Sequence, residues 1–185
     1  SLYFFFNMGS ESNIPTLFSV IILFLASTHL YVAWKTNAGD KTKNYWIILA
    51  AIFLFLAIDE GATIHEQFNK YGRNLGGGSG YLYYSWIIPY TIFALFAGIY
   101  FLRFLLMLPL KTRKLFIISG VLYVTAAIGF EIPEGHIVDL YGRGTFQDEL
   151  LCSIEELIEM TSIIVFNYSL LDYMAERNTQ AFVAK

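Results

Sequence analysis

Fourteen consecutive apolar residues, Tyr45 to Ile58, run directly into Asp59-Glu60-Gly61-Ala62-Thr63-Ile64-His65-Glu66. As a helix, that apolar run covers only about 21 Å, against about 30 Å of bilayer hydrocarbon. A spanning helix must therefore continue through the polar segment to about Glu66. On that count Asp59 and Glu60 lie inside the outer third of the membrane and Glu66 near its surface. An ionised side chain at membrane depth costs about 2.5–3.5 kcal/mol even on lenient scales, so such residues mark functional sites by default.

Similar apolar stretches recur along the 185 residues. The chain is 56% hydrophobic and 15% charged, where soluble domains carry about 25% charged residues. The expectation is an all-α polytopic membrane helix bundle, one integral membrane domain over 1–185. About five spans are predicted, near 14–34, 45–66, 81–108, 115–135 and 148–173. The alternative is four spans plus a re-entrant segment, because Gly61 and Pro133 can end helices early. The formal net charge of −3 and the lack of a basic patch argue against nucleic acid. One cysteine, Cys152, excludes an internal disulfide and any Cys-built zinc or iron–sulfur site.

Local signals fix the ends of the spans. Asn13 followed by Pro15 reads as a helix start. Gly76-Gly77-Gly78-Ser79-Gly80 lacks the pattern of a phosphate loop and reads as a flexible connector. Tyr81, Tyr83, Tyr84 and Trp86 read as an interfacial belt, with Pro89 expected to kink the helix beyond them. Pro133 is expected to break span four beside Glu131, and 137–147 is expected to be a loop. His29 reads as a satisfied interfacial or interhelical histidine.

Nine of the twelve Lys and Arg residues fall in loops 35–44 and 109–114, at Arg103 and in the C-terminal tail. The positive-inside rule then places the N-terminus outside and the C-terminus in the cytoplasm. This topology brings three separate segments to one depth in the outer half of the membrane. They are Asp59, Glu60, His65 and Glu66; Glu131, Glu134 and His136; and Glu155, Glu156 and Glu159. These eight acids and two imidazoles face only Lys70, Arg73 and Arg143 on their side. Like charges this close cannot all stay ionised without protons, His⁺ or a bound cation. Carboxylates with imidazoles suit Fe, Mn or Zn, and carboxylates alone suit Ca²⁺.

Asp59-Glu60-x-x-x-Ile64-His65-Glu66 and Glu155-Glu156-x-x-Glu159-Met160 resemble a pattern in small uncharacterised prokaryotic multi-pass membrane proteins. The resemblance implies that the cluster recurs in such proteins, and the topology above turns it toward the periplasm of an expected prokaryotic cytoplasmic membrane. It brings no activity. The expected function is a cluster that binds a divalent metal or protons, in a subunit of a larger membrane complex or a homo-oligomer. The alternatives are a metal-dependent, di-iron-like membrane enzyme acting on a lipid-soluble substrate, and a proton or cation transporter or channel.

Overall fold

A computed structural model describes residues 5–10, 12–37, 39 and 41–183, with side chains as far as Arg177. Residues 1–4, which belong to the short aromatic lead-in expected over 1–13, and residues 11, 38, 40 and 184–185 lie outside the described residues. The chain is all-α. Helix α1 (Ile14–Thr36) and helix α2 (Lys43–Ala62) form an antiparallel pair, followed by a short α3 (Ile64–Asn74). Then come α4 (Ile87–Met107), α5 (Leu110–Val124), α6 (Glu131–Tyr141) and a long α7 (Phe146–Val183). A six-residue π-helical segment, Thr125–Phe130, joins α5 to α6 without a break.

Four stretches have the length and apolarity of membrane spans: Ile14–Thr36, Lys43–Ala62, Ile87–Met107 and the composite Leu110–Tyr141. Large apolar side chains such as Phe24, Leu95, Phe96 and Ile99 point outward from them, as hydrocarbon solvent allows. Helix α7 is not among the four, since Glu155, Glu156, Glu159 and Asp172 interrupt it. Its 38 residues make it about 57 Å long. The tail expected as a polar end piece is therefore helical to Val183.

Several sequence expectations need correction. Span two does not run unbroken to Glu66. Thr63 takes a left-handed conformation, with φ of 49°, which stops α2 at Ala62. α3 then starts in a new direction. Left-handed backbone crowds a Cβ, so something must hold the turn. Asp59 does so, with Oδ1 accepting the His65 backbone N–H at 2.6 Å. That N–H belongs to the first turn of α3, where no helical carbonyl is available, and Thr63 supplies no side-chain cap of its own.

Pro89 sits in the first turn of α4, where a missing N–H costs nothing. Span three consequently starts at Ile87, and Gly80–Leu82 forms a single 3-10 turn before it. Pro133 does not break span four either. Its missing N–H and its ring are accommodated where the preceding turns widen into the π segment. The helix continues to Tyr141, so the loop expected at 137–147 shrinks to Gly142–Thr145.

The glycine-rich connector is more structured than expected. Residues 64–74 are helical, and Gly72 lies so close to the next segment that an added Cβ would come within 1.8 Å of the Ser85 carbonyl oxygen. The Trp86 backbone N–H donates to Asn69 Oδ1 at 3.1 Å, and the Gly80 N–H donates to Asp139 Oδ2 at 2.8 Å. Gly135 lies under Tyr83 and Tyr84. α3, residues 80–86 and α6 thus form a closed cap at one end of the bundle.

At the other end, the loops carry the lysines and the packing is aromatic. Trp46 and Phe104 are fully buried, edge to face at 4.8 Å. Phe116, Phe166 and Tyr173 complete this core. The Tyr173 hydroxyl donates to Asn37 Oδ1 at 3.0 Å, and Lys111 pairs with Asp172 at 2.6 Å. Between the two ends, His29 Nδ1 and Asn167 Oδ1 lie 2.9 Å apart. The Asn167 amide also donates to the Ile22 carbonyl, so His29 is an interhelical histidine, as expected.

Candidate functional site: an acidic cavity between four helices

Four helices each contribute one stripe with spacing of three and four residues, the repeat that keeps side chains on one helix face. On α2 the stripe is Leu49, Ile52, Phe53, Leu56, Asp59 and Glu60. On α4 it is Tyr90, Phe93, Ala94, Ala97, Gly98 and Phe101. On α5 it is Ile117, Gly120, Val121 and Val124, and on α7 it is Cys152, Glu155, Glu156, Glu159, Ile163 and Phe166. Together they line a half-open cavity of about 660 Å³. One end is acidic and the remainder is apolar.

Nine of the ten predicted site residues line this single cavity: Asp59, Glu60, His65, Glu66, Glu131, Glu134, Glu155, Glu156 and Glu159. The tenth, His136, does not. Its ring stacks on Tyr81 at 4.1 Å, about 200° around α6 from Glu134.

Asp59 is 5% exposed and fully engaged. Oδ1 takes the His65 N–H and stands 3.5 Å from His65 Nδ1, while Oδ2 accepts the Tyr90 hydroxyl at 2.9 Å. This carboxylate fixes the α2–α3 turn, the His65 ring and α4 at once. The other face of the His65 ring meets Trp86 at 5.1 Å. Glu134 Oε1 accepts the Tyr84 hydroxyl at 3.2 Å. Burial, reinforced by the Glu134 carboxylate, pushes the Tyr84 phenol well above its ordinary value, so it stays a donor. The Arg143 guanidinium lies 5.6 Å over the Tyr84 ring and also lines the cavity. Glu155 stands within electrostatic reach of Glu131, Glu134, Glu156 and Glu159.

Tyr84, Trp86, Tyr90 and Arg143 were not singled out from the sequence as site residues. The three aromatics read as an interfacial belt or as span packing, and Arg143 as a loop cation. Their roles depend on the fold-back of residues 80–86, for which no local sequence signal exists. Pro89 at the start of α4 gave the nearest hint, because it marks where the helix can begin.

The donors are spread around a space. Among the described residues, no three His, Cys, Asp or Glu side chains form a set able to hold one metal ion. The donor types still suit hard or borderline cations. Residues 3–174 match the sequence profile of a family described as Domain of unknown function (DUF8692). The chain belongs to that family. No curated protein and no solved structure matches it. The DUF8692 match includes every residue that lines the cavity.

Proposed function

We propose that the protein is an integral membrane binding protein whose acidic cavity end holds cations, either protons or a divalent metal such as Fe, Mn, Zn or Ca. One observation carries this reading. Carboxylates from α2, α6 and α7, far apart in sequence, line the same cavity, and Arg143 is the only Lys or Arg among the described residues that line it. Carboxylates withdrawn from water and facing one another need protons or a counter-cation. In this reading α7 is a fifth span beside the four apolar ones. The lysine-bearing loops then face the cytoplasm and the acidic end faces outward.

A second reading, a metal-dependent enzyme acting on a lipid-soluble substrate, is favoured by the continuity of the acidic end with apolar space. A channel is disfavoured because the walls beyond Glu159, toward Phe104 and Phe116, carry Ser119 and Ser162 but no charged side chain. The exposed apolar helix faces serve equally for lipid or for neighbouring subunits, so assembly into a complex is part of the proposal and is read by co-purification at fixed stoichiometry.

The test is a titration of the full-length protein in nanodiscs with Mn²⁺, Zn²⁺ and Ca²⁺, with proton release followed on each addition. Saturable binding that displaces protons, weakened about tenfold or more by Glu131→Gln or Glu155→Gln, is expected, since each removes a charge-assisted contact worth about 1.5–3 kcal/mol. Absence of saturable binding by all three ions, with the same proton titration in the protein and its variants, would overturn it.

A further inference from the structure

The apolar part of the cavity needs its own account. α2 and α4 touch at both ends. At the lysine-bearing end Tyr45 stacks on Phe104 at 5.3 Å and Trp46 meets it at 4.8 Å. At the acidic end Tyr90 bonds Asp59. Between these contacts, Ile52 and Leu56 of α2 and Ala94 and Ala97 of α4 line the cavity. From Tyr90 to Phe101 the gap runs about 16 Å along α4.

Small residues keep it open. Gly98 and Gly120 belong to the lining stripes of α4 and α5, and a Cβ added to either meets nothing within 4 Å. Bulkier residues there would fill the gap. Apolar walls give water no hydrogen-bond partners, and an unfilled groove forfeits dispersion contacts along its walls. Hydrocarbon is the filler that answers both costs. A volume of this size falls in the range of small-molecule sites, about 300–1,000 Å³.

The acidic end selects the head group. Glu134 is 8% exposed and lines the cavity, where its carboxyl group holds the Tyr84 hydroxyl and meets the Glu155 carboxyl group. A ligand with N–H donors and a positive charge would complement these facing carboxyl groups. The absence of a ready three-donor metal set among the described residues fits a larger organic cation as well as it fits protons.

We propose that the cavity binds a lipid-soluble amine, with its aliphatic chain between α2, α4 and α5 and its ammonium head among Glu131, Glu134 and Glu155. The proposal rests on the acidic end being a cation site and adds the chemical class of its ligand.

The test uses the full-length protein in nanodiscs and a hexadecylamine carrying a photoreactive diazirine in mid-chain. The matched hexadecanol and a matched phospholipid serve as comparisons. Labelling by the amine is expected at Ala94, Ala97, Gly98, Ile117 and Gly120, tenfold or more above the alcohol and the phospholipid. Gly120→Leu should cut it at least fivefold. Ala94→Leu fills the same space from the other wall and serves if the first variant does not fold. Glu155→Gln should bring amine labelling down toward that of the alcohol.

Equal labelling by amine, alcohol and phospholipid would overturn the proposal. So would labelling confined to the outward-facing Leu95, Phe96 and Ile99. The Mn²⁺ titration of the unsubstituted protein reads the inorganic cation site separately. Loss of metal binding with retained amine labelling would sink only the inorganic reading, and the reverse outcome would sink only this one.

Discussion

The two ends of the bundle are built from the same helices and are packed in opposite ways. At the lysine-bearing end, Trp46, Phe104, Leu170 and Thr112 are fully buried and the rings interlock. Polar groups there, such as Asn37, Tyr173 and Arg177, bond one another. At the acidic end the helices part around a cavity, α2 stops on a left-handed threonine, and α5 passes into α6 through a π segment. The contrast suggests a division of labour. One end supplies the cohesion that lets the other carry crowded carboxylates and irregular backbone, features whose cost must be met elsewhere in the molecule.

The largest effect should come from breaking the tight end. Trp46→Ala removes a fully buried ring that touches Phe104, Phe116 and Tyr173. Core truncations of this kind cost about 3–5 kcal/mol. Thermal or denaturant unfolding in detergent should show a loss of that order. A loss below 1 kcal/mol would mean that this end is not the anchor.

A smaller effect is expected at the acidic cap. Gly72→Ala drives a Cβ into the Ser85 carbonyl, and overpacking of this kind costs about 1–3 kcal/mol. Hydrogen exchange should speed up over residues 64–86 and stay unchanged around Trp46. Uniform acceleration along the chain would show that the two ends are not separable units.

The smallest effect has the opposite sign. Thr63→Gly removes the Cβ that a left-handed conformation crowds, and should stabilise the protein by up to about 1 kcal/mol, less whatever the unfolded chain gains in freedom. A small rise in melting temperature, with the Asp59-bonded His65 amide still protected, checks it. A clear fall would show that the threonine side chain has a role of its own in the turn.

Much of this site was legible because membrane depth and helix periodicity are both written in the residues. Asp59 and Glu60 close an apolar run, and Glu155, Glu156 and Glu159 repeat on one helix face. The distribution of Lys and Arg then assigns these segments to the same end of the molecule, and they do share one cavity. The turn at Thr63 was not legible. It depends on a bond from Asp59 to a backbone N–H six residues on, and the need to reach the far side of a bilayer argued for a continuous helix instead. His136 lies two residues beyond Glu134 on the same helix, about 200° around it, so it lines a different face from the cavity acids. The fold-back of residues 80–86 was missed because glycine marks permission to turn without saying where the turn packs.

The sequence by itself determined the class of the molecule: helices of spanning length, too apolar for water, with acids at recurring positions near one end. Those properties follow from composition and from a repeat of three to four residues, which are local. Tertiary structure alone decided that α2 and α4 meet at both ends, with apolar cavity walls between these contacts in continuity with the acids. It also brought Tyr84, Tyr90 and Arg143 to the carboxylates. Such outcomes depend on which side chains fill the space between helices distant in sequence, and no single segment carries that information.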